Sequence, residues 1–321
     1  MAVYTQVSAE QVSEFLTRYD AGELRVAKGI AEGVENSNFL IETTKSRYIL
    51  TLYEKRVDEN DLPFFIALLD HLGVKGCKVP RFIADKKGQR LQNVAGRPAC
   101  LIEFLSGVSV TEPTPAQSYA AGRALGELHK AAADFTWERP NSLGPDGWRK
   151  LLSDIGDDFD KIEDSLGTNV HAAADAIFAA WPEDLATSVI HADLFPDNVL
   201  SIGDEVTGLI DFYFACTDIR AYDVAVTHSA WCFSHDGSIF FPERAAALIA
   251  GYAETHGLSI EERTALPLLC QGAALRFLLT RAYDWINTPP DALVMRKDPL
   301  AYWRRLETYR NSDAATLFGT A

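Results

Sequence analysis

The sequence predicts an α+β chain in two lobes. An antiparallel, β-rich N-terminal lobe with one inserted helix covers residues 1–105, and a mostly helical C-terminal lobe covers residues 106–321. Three observations carry this. The first hundred residues hold short apolar runs of strand type, interrupted by one segment of helical period. Beyond Glu103-Phe104-Leu105-Ser106-Gly107 the apolar spacing is helical almost to the end. Within that helical half a single acidic loop, His191-Ala192-Asp193-Leu194-Phe195-Pro196-Asp197-Asn198, lies between the runs Ser188-Val189-Ile190 and Val199-Leu200-Ser201-Ile202.

Taken in order, Ser8 to Tyr19 is a helix, with Ser8 and Gln11 spaced as a capping box and Val12, Phe15, Leu16 and Tyr19 on one face. Strands follow at Val26 to Ile30 and Asn38 to Glu42, joined by residues 31–37, and a third at Tyr48 to Tyr53. The inserted helix, Asp61 to Leu72, aligns Leu62, Phe65, Leu69 and Leu72, and Gly73 is its stop signal. Two more strands are expected at Pro80 to Ala84 and Pro98 to Phe104, with Ala95-Gly96 as a turn. In the second lobe Thr114-Pro115-Ala116-Gln117 caps a helix that aligns Ala121, Leu125, Leu128 and Ala132. After helices to Trp181 and the acidic loop, a strand at Val206 to Asp211 precedes helices containing Val224 to Trp231, Ala245 to His256, Ala273 to Trp285 and Tyr302 to Ser312. Two lobes of this kind leave a cleft, where ligands bind.

Composition narrows the function. Lys and Arg number 30 against 45 Asp and Glu, a formal charge of −15, which disfavours nucleic-acid and anionic-membrane partners. The five cysteines are scattered, odd in number and lack a C-x-x-C pair, as in a reduced cytoplasmic protein. The N-terminus has no basic stretch followed by an apolar core, and no run approaches the roughly 18 apolar residues of a membrane span.

The loop spacing His-x-Asp-Leu-x-x-x-Asn is that of a phosphoryl-transfer catalytic loop, in which the aspartate meets the acceptor hydroxyl and the asparagine holds a metal ion. Ile210-Asp211-Phe212 follows thirteen residues after Asn198, room for a short hairpin. Asp193 is therefore the candidate base, and Asn198 and Asp211 are candidate ligands of Mg2+, which prefers hard oxygen donors. His191 is either a structural imidazole or a direct participant. Asp223 either caps the helix beginning near Arg220 or braces the loop from below. Gly33, Ser37 and Asn38 either make a polar turn or bring donors over the phosphates of ATP. Thr51 occupies the third-strand position where such sites expect a lysine, and Lys55 lies four residues on. Arg276 and Arg281, set in an apolar helical run, are candidate receptors for a substrate carboxylate or structural partners of Asp223 or Asp284. His228, with Trp231 and Trp285, lines a substrate pocket or packs in the core.

These motifs resemble the aminoglycoside-phosphotransferase-like small-molecule kinases, which share the two-lobed protein-kinase fold, over nearly the whole chain. Within that family Glu32-Gly33-Val34-Glu35-Asn36-Ser37-Asn38, Tyr48-Ile49-Leu50-Thr51-Leu52, Leu62-Pro63-Phe64-Phe65 and Ala274-Leu275-Arg276-Phe277 are similar to segments of the bacterial homoserine kinases. The resemblance implies ATP-dependent phosphorylation of L-homoserine in threonine biosynthesis. It also implies that the backbone from Glu103 to Leu105 holds adenine. No long activation segment fits between Asp211 and Asp223, so a small alcohol is favoured over a protein substrate. The alternatives are another small alcohol, such as an aminoglycoside, choline or a sugar amine, for which the charge of −15 suits a polycation, or an inactive nucleotide-binding module, for which the absent lysine argues. A cytoplasmic monomer or homodimer is expected.

Overall fold

The computed structural model describes residues 5–30, 36–54, 58–288 and 296–319. The chain divides into two compact units, Met1–Gly107 with Thr207–Tyr213, and Val108–Val206 with Phe214–Ala321.

The first unit is built on a five-stranded antiparallel sheet. Helix α1 (Ala9–Leu16) begins at the Ser8/Gln11 capping box, and β1 (Leu24–Ile30), β2 (Asn36–Thr43) and β3 (Arg47–Tyr53) follow. Then come α2 (Leu62–Val74), β4 (Leu91–Val94) and β5 (Arg97–Glu103), and the sheet order is β1-β2-β3-β5-β4. The period-two pattern of β2 and β3 turns Phe39, Ile41, Leu50 and Leu52 to one face, where they form a core with Val12, Phe15 and Leu16 of α1. Each such side chain stabilises the unit by roughly 1.5–3 kcal/mol when fully buried. Phe65 of α2 and Tyr53 of β3 each meet the Tyr213 ring edge-on, at centroid distances of 5.6 and 5.5 Å.

Two expectations are corrected in this unit. Pro80 to Ala84 forms no strand, only an isolated bridge from Phe82 to Ile102, because Pro80 has no amide to donate to a ladder. The fifth strand is instead β4, a mostly exposed edge strand whose weak alternation gives little sequence signal; it turns into β5 through Ala95 and Gly96, both at positive φ. The unit boundary also departs from a single cut at residue 105. Thr207–Tyr213, which includes Asp211, belongs with the first unit; there the Leu209 amide donates to the Lys78 carbonyl at 2.8 Å.

The second unit is mainly helical. Helices α3 (Pro115–Ala132), α4 (Pro145–Ile155) and α5 (Leu166–Ala180) lead to β6 (Thr187–Ile190), β7 (Val199–Ile202) and β8 (Glu205–Leu209), along which the chain passes back to the first unit. On its return come β9 (Cys216–Ile219), α6 (Arg220–Trp231), α7 (Pro242–Thr255), α8 (Ile260–Asn287), α9 (Leu300–Asn311) and the short α10 (Ala314–Phe318). β6 and β9 pair antiparallel, with Ile190 opposite Cys216, so the acidic loop leaves from a paired strand. Helices α3 and α7 cross closely because Gly122 has no side chain; a Cβ there would lie 2.0 Å from the Leu248 carbonyl oxygen. Among the described residues no helix is long and apolar enough to cross a membrane.

Candidate active site

The loop from His191 to Asn198 begins at the end of β6 and closes in a short 3-10 turn, Pro196–Asn198, before β7. Its backbone is fixed by buried partners. The amides of His191 and Ala192 donate to Oδ2 and Oδ1 of Asp223, at 2.7 and 2.8 Å. Asp223 is fully buried in the first turn of α6, makes no capping bond to that helix, and also meets Nε2 of His129 at 3.0 Å. Burial alone would raise the Asp223 carboxyl, but its bond to His129, the neighbouring imidazoles and the His191 amide bond hold it below the ordinary carboxylate range. His129 in turn meets the Tyr252 hydroxyl at 2.9 Å through Nδ1. The Trp231 indole donates to the Leu194 carbonyl at 2.9 Å, so this tryptophan supports the loop rather than lining a pocket.

Asp193 is half-buried at the centre of this loop. Its amide donates to the His191 imidazole Nδ1 at 3.3 Å, so His191 is engaged with the backbone. Nδ2 of Asn198 donates to the Asp193 carbonyl at 2.8 Å and to its carboxylate at 3.3 Å. Desolvation pushes the Asp193 carboxyl up to about 6, against the attraction of Arg276, and Asp197 adds to the rise. Such a group is ionised at neutral pH yet basic enough to accept a proton from an alcohol. Among the described residues no donor is bonded to Oδ1 of Asn198, which leaves a hard amide oxygen of the kind magnesium accepts. Asp211 is exposed at φ 64, a left-handed conformation rare for residues with a side chain. Its carboxylate is also a hard oxygen donor, so both residues are of the chemical type that magnesium accepts.

The arginines separate. Arg276 is 1% exposed and donates through Nη1 to the Ala192 carbonyl, with its guanidinium 4.6 Å from the centroid of Phe277. Buried on the loop in this way, it has no surface to offer a substrate carboxylate, which corrects that expectation. Arg281 lies over the Tyr302 ring and donates through Nη1 to the Asp298 carbonyl at 3.1 Å, and among the described residues its other nitrogens have no protein acceptor. Burial pulls the Arg281 guanidinium below its ordinary value, with Asp193 the weakest of the charges acting on it, and the exposed Lys297 in turn acts on Asp193. Sequence reasoning missed Lys297, which lies outside any periodic element. His228 is also corrected. It is fully buried, with Nδ1 at 2.7 Å from the Tyr309 hydroxyl and Nε2 at 3.0 Å from the Leu317 carbonyl, and burial pulls it down to about 4. Both nitrogens are engaged, so it is a neutral packing residue.

In the first unit Gly33 and Lys55 fall outside the described residues. Ser37 is buried and its hydroxyl donates to Glu54 at 2.8 Å while accepting the Thr5 amide, so it is bound within the protein rather than presented to a phosphate. Glu54 also pairs with Arg97 at 3.2 Å. Thr51, at the lysine position, is 2% exposed and donates to Oδ1 of Asn38 at 2.7 Å. The Glu103 amide donates to the Arg81 carbonyl at 2.9 Å and its carboxylate faces Arg81 at 3.4 Å. Leu105 follows β5, past the last ladder residue, and among the described residues no backbone acceptor claims its amide.

Comparison with known proteins places this geometry. A sequence model of the phosphotransferase enzyme family matches residues 26–263. The homoserine kinase of Zymomonas mobilis subsp. mobilis is 52% identical over 319 residues, covering 99% of each chain. That of Agrobacterium fabrum is 49% identical over 321 residues, covering 100% of this chain and 99% of the relative. Among solved structures, an amicoumacin kinase superimposes with a TM-score of 0.72 at 15% identity, covering 96% of this chain and 95% of its own. A spectinomycin phosphotransferase gives 0.69 at 13% identity, covering 98% and 97%. The fold is the α+β protein-kinase-like fold of these neighbours.

Proposed function

The chain belongs to the phosphotransferase enzyme family, and we propose that it transfers the γ-phosphoryl group of ATP to the side-chain hydroxyl of L-homoserine, giving O-phospho-L-homoserine for threonine biosynthesis. Full-length identity of about half with homoserine kinases carries the substrate. The braced loop around Asp193 supports the chemistry.

Asp193 accepts a hydrogen bond from the homoserine hydroxyl, orients it, and takes its proton as the new P–O bond forms and the bond to ADP breaks. Phosphoryl transfer asks for positioning and charge stabilisation more than covalent help, and a carboxylate near pKa 6 on a fixed loop meets that need. Asn198 and Asp211 are the residues that would hold Mg2+, which neutralises charge on the nucleotide phosphates when bound. Arg281, with Lys297 nearby in the field of Asp193, receives the homoserine carboxylate. Asn38 and Leu105 remain the described candidates for nucleotide contact, Leu105 through its unclaimed amide. The five free cysteines and the metabolic substrate support a cytoplasmic enzyme.

A coupled ATP-consumption assay over L-homoserine, choline and an aminoglycoside tests the reading. The highest kcat/KM is expected for homoserine, and turnover of another alcohol alone would overturn it.

A further inference from the structure

The acidic loop contains one residue in an unfavourable conformation. Ala192 has φ 62, where its Cβ crowds the following carbonyl. Such conformations persist only where the surroundings over-determine them, and they collect at functional sites. Here Ala192 is held on both of its peptide groups. Its amide donates to Oδ1 of Asp223 at 2.8 Å, and its carbonyl accepts from Nη1 of Arg276. The two partners come from different helices, α6 and α8, and each is at most 1% exposed.

Arg276 is an unusual occupant of its position. It sits in the buried run Gly272 to Leu279 of α8, and its Nε is buried with no hydrogen-bond partner. Among the described residues no carboxylate lies within ion-pair distance of it, although the Asp193 carboxylate feels its charge, and the rings of Phe277 at 4.6 Å and Phe214 at 5.6 Å lie beside it. A guanidinium buried without a paired anion destabilises a core relative to an apolar residue of similar volume. Its presence calls for a role, and the contact it makes is to the residue immediately before Asp193.

We infer that Arg276 is a positioning residue for phosphoryl transfer, which with Asp223 clamps left-handed Ala192 and so fixes the direction of the Asp193 carboxylate. This inference rests on the reading of Asp193 as the base. It assigns the two helix arginines different work: Arg281 meets the substrate, and Arg276 aims the loop.

The test is steady-state kinetics on the full chain with Arg276→Met and Arg276→Lys, beside Arg281→Ala and wild type. Losing the clamp is expected to lower kcat about 100-fold in Arg276→Met, the scale of a misplacement near 1 Å, with KM for homoserine and ATP held within about twofold. Arg276→Lys, which keeps a charged donor, restores part of kcat. Arg281→Ala shows the opposite split, with KM for homoserine raised. If Arg276→Met gives no folded protein, Arg276→Lys alone decides by the same split. A raised KM for homoserine at unchanged kcat would make Arg276 a substrate receptor and overturn the inference. Unchanged kcat and KM with only a lower melting temperature would overturn it too, leaving a purely structural arginine. Should wild type phosphorylate a different alcohol, the substrate reading fails separately and the same split is read with that alcohol.

Discussion

The catalytic loop of the second unit and the third strand of the first are built by opposite means. Around Asp193, buried charged groups grip the backbone: Asp223 takes the successive amides of His191 and Ala192, and Arg276 takes the Ala192 carbonyl that follows them. At Thr51 in β3, where a cation was expected, the buried groups are neutral. Thr51 bonds to Asn38, and Tyr53 meets Tyr213 through their hydroxyls at 3.2 Å. Charged groups in low dielectric are strong partners and costly orphans. The loop is therefore tightly specified and intolerant of change. The strand tolerates change locally.

The comparison can be broken at several points, in decreasing order of effect. Asp193→Asn removes the base while keeping the shape of the loop, and kcat is expected to fall by about 1000-fold or more with nucleotide affinity little changed, read by turnover and by nucleotide titration. Retained turnover would remove Asp193 from its role. Asp223→Asn replaces one acceptor oxygen with a donor facing a buried amide, and the unfolding free energy in urea is expected to drop by about 3–5 kcal/mol together with kcat. A stable, active variant would show that the loop does not depend on its buried carboxylate.

The second unit also holds a buried group that must remain uncharged. His228 falls to about 4 in the folded chain from an ordinary 6.5, so between those values the unfolded chain binds the proton more readily. Its contribution is whole above pH 6.5 and is lost as pH falls towards 4, amounting to about 3 kcal/mol. Urea unfolding across that range should show this loss in wild type and a flatter limb in His228→Gln. The smallest effect belongs to the strand: Thr51→Val, which deletes one bond to Asn38, should cost about 1 kcal/mol of stability and leave kcat near wild type. A large loss of kcat there would mean that Thr51 carries part of the missing lysine's work.

Much of this was legible in the chain because local chemistry wrote it there. The capping residues Ser8, Thr114 and their glutamines stand three apart in sequence, and both boxes form. The alternation in β2 and β3 and the apolar face of α2 fixed most of the sheet unit. What the sequence concealed depends on side chains distant in the chain. His129 reads as part of an apolar helix face, and only the close α3–α7 crossing and the position of α6 reveal its bonds to Tyr252 and Asp223. Arg276 and Arg281 look alike in one apolar run, but the first is fully covered and the second only partly. Ser37 looks like a phosphate donor until Glu54, seventeen residues away, is found holding its hydroxyl. The edge strand β4 has too little apolar alternation to announce itself.

The central claim, that Asp193 serves phosphoryl transfer to homoserine, is tested most directly by phosphorus NMR of the enzyme with ATP, Mg2+ and L-homoserine. Wild type should give one new phosphomonoester resonance growing in step with ADP, absent with Asp193→Asn. ADP formed without that phosphomonoester, or the same product from Asp193→Asn at the wild-type rate, would contradict it.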